Sequence, residues 1–232
     1  MRTAFNAFVV GAALIVAGVL LALSLPALSA SVKLLPGSDA LELVESGAAP
    51  AQQGLMRAVG SQIASLESLP QPLPHLNIAV LAVRLAESPG TAPAEREEMV
   101  AVARHHLDRS LAMAPGQARA WLMLAGLNLR DDPAAAAQAL TLSFIANPHA
   151  PVMATARWPM VFELDARLDR STREQAHLEF LAYFRRNGDD ALRLALRLNR
   201  LAELRALASD LPVDAELLQR LRQKMQYGGP NG

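Results

Sequence analysis

Few side chains of this 232-residue sequence have the type and spacing that chemistry requires. His105 and His106 are adjacent, and neighbours in a helix point about 100° apart, so the two do not chelate one metal ion well. Glu163 and Asp165 lie two positions apart and do not face each other as an acid–base pair would. The chain has no cysteine, which excludes thiolate metal sites and cysteine nucleophiles. We therefore predict no catalytic residue, no metal site and no cofactor.

Arginines give the C-terminal third of the sequence a basic edge. Arg193 and Arg197 have helical spacing and could bind carboxylates or phosphates. The alternative is a solvated face, on which these arginines pair with Asp189, Asp190 and Glu203. Arg193 and Arg197 are nevertheless candidate partner-binding residues.

The composition narrows the class of protein. The 22 basic and 22 acidic residues cancel, whereas a nucleic-acid binder needs a basic face. Aromatic residues make up 4%, too few to provide stacking platforms for single strands. Ala and Leu dominate the apolar residues, which favours helix over sheet. We expect a helical protein that binds neither nucleic acid nor a small molecule.

Residues 7–25 form an uncharged apolar segment that predicts a transmembrane anchor. About 19 residues at about 1.5 Å each approach the roughly 30 Å hydrocarbon core of a bilayer. Arg2 precedes the segment, which predicts a cytoplasmic N-terminus, a single span of the bacterial inner membrane and a periplasmic body. The alternatives are a cleaved signal peptide ending near Ala30 and a buried core helix.

The remaining sequence divides into a linker, a helical domain and a tail. Residues 1–30 are assigned to the anchor, and 31–50 read as a linker with a short helix at Asp39–Glu45. Residues 51–226 predict about nine helices and no strand, and 227–232 a disordered tail. The first helix, Ala51–Ser68, is amphipathic, and its predicted inward side chains are Leu55, Val59, Ile63 and Leu66.

Prolines and capping residues set the predicted ends of the later helices. Pro70, Pro72 and Pro74 should break the chain before a helix at Leu76–Ala86, and Pro159 should kink or start another. Ser171 and Glu174 have capping-box spacing. The other helices are predicted at Pro93–Ala114, Gln117–Arg130, Pro133–Ala146 (capped by Asp132), Thr172–Asn187, Asp189–Leu207 and Pro212–Gln226.

Two stretches of the helical domain correspond to each other. Each ends at a proline, Pro115 or Pro148, and these lie about one 34-residue tetratricopeptide period apart. A small residue, a leucine and a serine precede each proline at the same spacing: Ala103, Leu107 and Ser110 in the first stretch, and Ala136, Leu140 and Ser143 in the second.

Residues 117–149 resemble one tetratricopeptide repeat, and 94–116 resemble the second helix of the preceding repeat. Trp121, Leu124 and Ala125 stand where the family has a large side chain, a leucine and a small residue. Asn128 occupies the place of the usual aromatic, and His149 lies at the repeat turn. The resemblance implies an irregular, tetratricopeptide-like solenoid that binds a protein partner, with Asn128 and His149 as candidate contacts.

The stretch 139–164 is similar to tetratricopeptide-like proteins that accompany bacterial exopolysaccharide synthesis and export. The similarity lies in the serine–proline spacing and in Arg157-Trp158, which makes Arg157 a further candidate partner-binding residue. It implies a non-enzymatic adaptor of the cell envelope. Two alternatives stay open, namely a glycan-acting enzyme on a helical solenoid and a cytochrome-assembly chaperone.

Overall fold

The structure, a computed structural model, describes residues 22, 24–26, 28–34, 38–46, 52–68 and 70–198. All regular elements in these ranges are helical, which confirms the predicted all-α class for them. The chain forms two compact units, Met1–Pro115 and Gly116–Gly232. The predicted helical domain, residues 51–226, extends over parts of both units.

The first unit contains four helices with described ends. They are α1 (Ser38–Glu45), α2 (Gln52–Ser68), α3 (Pro72–Ala86) and α4 (Pro93–Met113). The closest packing is between α3 and α4, and α2 packs on α3. The short helix predicted near residue 39 is therefore present, and buried Ala40 and Val44 show that it is packed rather than extended as a free linker.

The second unit contains five helices within the described residues. They are α5 (Ala118–Asn128), α6 (Pro133–Ala146), α7 (Ala154–Leu164), α8 (Arg170–Arg186) and α9 (Gly188–Arg197). Single 3₁₀ turns, Pro151–Met153 and Asp165–Arg167, flank α7. Helices α5 and α6 form an antiparallel hairpin, and α8 packs on α7 and α9.

The inward face of α2 differs from the predicted one. Leu55 is buried, as expected, but Ile63 is 44% exposed. Gln62 and Ser65 are buried instead. The amide of Asn77 donates to Oε1 of Gln62 at 3.2 Å, so a partner on α3 satisfies the buried polar group. The prediction was right for Leu55 and wrong for Ile63, because apolar spacing does not account for a polar side chain that has a partner on another helix.

Prolines end or begin most helices where the sequence predicted. Helix α4 begins at Pro93, and α6 begins at Pro133. Asp132 caps α6: its Oδ1 accepts a hydrogen bond from the backbone N–H of Ala135 at 3.0 Å. Pro72 begins α3 four residues earlier than predicted, because proline is tolerated in the first turn of a helix.

Two further local predictions concern α7 and α8. Pro159, which was predicted to kink or start a helix, lies inside α7 and so does not start one. Asp169, not Ser171, caps α8, and its carboxylate accepts from the backbone N–H of Thr172 at 2.7 Å. That bond holds the pKa of Asp169 below its ordinary value. Trp121 is half-buried and packs against the apolar cluster of α5, α6 and α7.

The two hairpin serines make the same contact in their respective units. The hydroxyl of Ser110, in α4, donates to the carbonyl of Pro72 at 2.8 Å. The hydroxyl of Ser143, in α6, donates to the carbonyl of Ala118 at 2.8 Å. Pro72 and Ala118 are the first residues of α3 and α5, so each serine fastens the start of the preceding antiparallel helix.

Apolar side chains form two clusters in the second unit. One joins α5, α6 and α7 around Ala125, Leu140 and Leu164, all at most 1% exposed. The other joins α7, α8 and α9, where the rings of Trp158 and Phe180 stack with centroids 3.7 Å apart. These clusters hold the three helices that carry the candidate site.

Several predictions fall on residues that the structure does not describe. Most of the predicted anchor, the end of the helix predicted at 189–207, the helix at 212–226 and the tail are among them. Within the described ranges, no helix combines the length and the apolar character that a membrane span requires.

Candidate functional site

Arg157 forms a fully buried polar cluster in the second unit. Its Nη1 donates to Oε2 of Glu179 at 2.5 Å and to the carbonyl of Asn147 at 3.1 Å. Its Nη2 donates to the carbonyl and the hydroxyl of Ser143 at 2.5 and 2.9 Å, and Nε reaches the same hydroxyl at 3.2 Å. The guanidinium also lies 4.4 Å from the ring centroid of Phe144.

Both members of the ion pair are removed from water. The side chains of Arg157 and Glu179 are 1% and 2% exposed. Burial lowers the pKa of Arg157 and raises the pKa of Glu179, while each partner opposes the shift of the other. Because a guanidinium does not deprotonate in proteins, we expect both groups to be charged at neutral pH.

The Arg157 cluster fixes the connection between α6 and α7. Oε2 of Glu179 also accepts from the backbone N–H of Ala150 at 3.4 Å, and Gln175 donates to the carbonyl of Pro148. The Asn147 carbonyl lies just past the end of α6, where helices lack internal donors. Arg157 therefore closes α6 and holds residues 147–153 against α8.

Arg157, a predicted partner-binding residue, lies in the interior of the second unit. The side chain is inside the unit, and its donors face acceptors of the chain itself. Asn128 is also buried, at 8% exposure, and so is not presented at the surface as predicted. His149 is exposed in the connection after α6, where its charge acts weakly to lower the pKa of Glu179.

The structure brings the two predicted arginines of α9 together at a cleft. Arg193 and Arg197 are exposed and line a cavity of about 650 Å³. Thr155 of α7 and Tyr183 of α8 form part of the same wall. Pro159 has no N–H, so the Thr155 carbonyl lacks the usual helical donor four residues on. Asp190 and Leu194 complete the lining.

The cleft is electropositive, with one carboxylate at its edge. Arg193 pairs with Asp190 at 2.5 Å, but these side chains are 71% and 56% exposed, so the pair contributes little to stability. Burial and Asp190 raise the pKa of Tyr183, and Arg193 and Arg197 oppose that rise. The Tyr183 hydroxyl thus stays protonated at neutral pH and can donate a hydrogen bond.

Other residues that the sequence singled out do not converge on this cleft. Glu163 lies in α7, and Asp165 begins the following 3₁₀ turn, where its carbonyl accepts from Arg173 at 3.3 Å. His105 contacts His106 in the first unit. Among the described residues, no three metal-ligating side chains cluster as a metal site would require.

Sequence reasoning missed Glu179 and Tyr183. Both belong to α8, and each faces a partner from a different helix. The only sequence signal for Glu179 was a lone acidic residue between apolar ones on a helix, which does not identify Arg157 as its partner. Tyr183 gave no signal separate from the apolar face of α8.

Comparison with known proteins adds no relative: no protein-family model, curated protein or solved structure matches this chain.

Proposed function

We propose that this chain is a membrane-anchored scaffold of the bacterial cell envelope that binds an acidic segment of a protein partner. In this proposal, residues 7–25 span the inner membrane, the N-terminus is cytoplasmic and the helical body is periplasmic. The body is a tetratricopeptide-like solenoid without enzymatic activity. Its process is the synthesis or export of exopolysaccharide, as the similarity of residues 139–164 implies.

The cleft beside Arg193 and Arg197 is the observation that carries the proposal. Two exposed guanidinium groups lie one helical turn apart on α9, and the buried Tyr183 of α8 lines the same cavity. A guanidinium binds a carboxylate with two parallel hydrogen bonds, and such charge-assisted bonds contribute about 1.5–3 kcal/mol each. A peptide with two acidic side chains, or with a C-terminal carboxylate, has the chemistry that this wall complements.

The scaffold role is supported by how the site is held. The Arg157 cluster is occupied entirely by contacts inside the unit, so it stiffens α6, α7 and α8 without offering a reactive group. Helices α7 and α8 also supply Thr155 and Tyr183 to the cleft. A preorganised wall loses less entropy when it binds a peptide.

The repeated serine contact supports the solenoid. Ser110 and Ser143 occupy corresponding positions before Pro115 and Pro148, and each fastens the first turn of its partner helix. Such repeated hairpins are typical of proteins that present an extended binding surface.

Charge reversal at the cleft tests the proposal. Arg193→Glu/Arg197→Glu should reduce recovery of the partner at least tenfold when the full chain is pulled down from detergent-solubilised membranes, because two attractive contacts become repulsive. The matched control is Arg185→Glu/Arg186→Glu, which makes the same change of net charge at exposed positions of α8 outside the cleft lining.

The outcomes separate the proposal from its alternatives. Retention of the partner by the cleft variant, or equal loss in both variants, would contradict the cleft as the binding site. A partner from exopolysaccharide export agrees with the proposed process, whereas a haem-attachment protein would favour the chaperone alternative. A wild-type chain that recovers no partner but turns over a glycan would favour the enzyme.

A further inference from the structure

Two histidines from different helices meet in the first unit. Nδ1 of His75, in α3, lies 2.8 Å from Nδ1 of His106, in α4, and the ring centroids are 5.0 Å apart. His75 is 8% exposed, and His106 is half-buried. At this distance one ring nitrogen must donate a proton and the other accept it, so the contact requires at least one neutral ring.

The histidine contact lies where the first turns of α3 pack against α4. His75 follows Pro72 by one turn in α3, and His106 precedes Ser110 by one turn in α4. The Ser110 hydroxyl donates to the Pro72 carbonyl at 2.8 Å. The histidine pair and the serine bond therefore join the first turn of α3 to the same part of α4.

We propose that His75 and His106 form a proton-operated latch that joins the start of α3 to α4 at neutral pH and opens in acid. One added proton leaves one ring neutral, so the hydrogen bond between the rings can persist. A second added proton makes both rings positive at hydrogen-bond distance and removes the acceptor. The two rings then repel, while the bond from Ser110 to Pro72 is unaffected by the protonation.

The charges around the pair act in the same direction. Arg109 and His105, both on α4, disfavour charge on His75, and His105 also disfavours it on His106. Burial is the largest cause and lowers the pKa of both rings, that of His106 to about 4. Among the charged residues of α1, α2 and α3 with described side chains, all four are exposed: Asp39, Glu42, Arg57 and Arg84. Lys33, in the described residues before α1, is half-buried.

The direction of the pH effect follows from linkage. A histidine that ionises at lower pH when folded binds fewer protons than the same residue in the unfolded chain. The two neutral histidines should thus make their full contribution to the free energy of unfolding above the ordinary histidine pKa of about 6.5. That contribution should fall as the pH drops toward 4.

A divalent metal fits the pair less well than a proton. With metal–nitrogen bonds of about 2.0–2.1 Å, the observed separation would force a nitrogen–metal–nitrogen angle of roughly 90°, below the tetrahedral angle that zinc prefers. Arg109 would also repel the ion.

Histidine NMR of the full chain in detergent tests the latch directly. The chain has five histidines, so ¹³C labelling at histidine Cε1 gives five signals that single His→Gln variants assign. We expect both rings to titrate below the ordinary histidine midpoint of about 6.5, with His106 near 4, and we expect His106→Gln to move the midpoint of His75 upward. Ordinary midpoints near 6.5 for both, or a His75 midpoint that His106→Gln leaves unchanged, would overturn the proposal. A saturating shift of both signals on adding one equivalent of zinc chloride would overturn it in favour of a metal site.

Stability gives a second, independent readout. Between pH 6.5 and 4.5, the unfolding equilibrium constant of the native chain should rise about tenfold more than that of His75→Gln/His106→Gln. His177→Gln, at an exposed position of α8, is the matched control and should follow the native chain. An equal pH dependence of the unfolding equilibrium constant in the native chain and the double variant would contradict the latch. If the double variant does not fold, the NMR titration alone is the test.

Discussion

Replacing Glu179 by glutamine should destabilise the second unit strongly. Glutamine has nearly the same shape, so the substitution removes the charge without opening a cavity. Arg157 would remain 1% exposed with a full positive charge and only neutral acceptors, the carbonyls of Ser143 and Asn147 among them. The perturbation therefore isolates the ion pair from the packing around it.

The magnitude follows from the burial of the pair. Breaking a buried ion pair by removing one partner costs about 3–5 kcal/mol, because the remaining charge is uncompensated. The new amide oxygen can still accept from Arg157 and from the Ala150 N–H, so we expect a loss near the lower value, about 3 kcal/mol. For a unit of this size, that loss lowers the melting temperature by roughly 10 °C.

Thermal and urea unfolding of the full chain in detergent measure the effect. Glu174→Gln is the matched control, because Glu174 pairs with Arg170 at 2.7 Å on the same helix but the side chains are 60% and 89% exposed. Because solvent screens this exposed pair, Glu174→Gln should change the free energy of unfolding far less than Glu179→Gln. A Glu179→Gln variant no less stable than Glu174→Gln would refute the argument that this pair holds α6, α7 and α8 together.

Three further outcomes are expected. Ser110→Ala and Ser143→Ala should each cost about 1 kcal/mol by urea unfolding, because each removes a hydrogen bond between two packed helices. Losses below about 0.3 kcal/mol would show that these bonds contribute little. Gly90→Ala should cost about 1 kcal/mol, since Gly90 has φ of +89°. Gly126→Ala should be neutral or stabilising, because the new methyl group meets only the movable end of a methionine side chain. Equal effects of the two substitutions on thermal unfolding would contradict this contrast. A reporter enzyme that is active only outside the cytoplasm should be active when it is fused after Gly232. If instead only a cytoplasm-specific reporter is active at the same fusion point, the proposed topology is reversed.

The sequence predicted helix ends better than helix faces. Pro93, Pro133 and the Asn147-Pro148 pair mark ends because proline lacks a donor and fixes φ, which are local properties. Ile63 was placed inside by its spacing, yet Gln62 beside it is buried. Its burial depends on Asn77, a partner from another helix that no local pattern of α2 contains.

In the candidate site too, the sequence predicted the features that depend on one helix and missed those that depend on contacts between helices. Arg193 and Arg197 share a face because four residues make about one helical turn, and the sequence alone sufficed to pair them. Arg157 was a candidate partner-binding residue because of the similarity of residues 139–164, and no local pattern predicted its burial. Its partner, Glu179, lies on a different helix, α8, which packs on α7 through an apolar cluster that includes Trp158 and Phe180.

Photo-crosslinking in living cells tests the proposed binding cleft most directly. A photoreactive residue at position 155 lies in the cleft wall, and one at the exposed neighbouring position 156 lies outside the cleft lining and serves as the control. We predict one protein adduct from position 155, with a crosslinked peptide rich in Asp and Glu or ending in a C-terminus, that Arg193→Glu/Arg197→Glu removes. No adduct from position 155, an equal adduct from position 156, or an adduct that persists in the charge-reversed variant would contradict the cleft as the binding site.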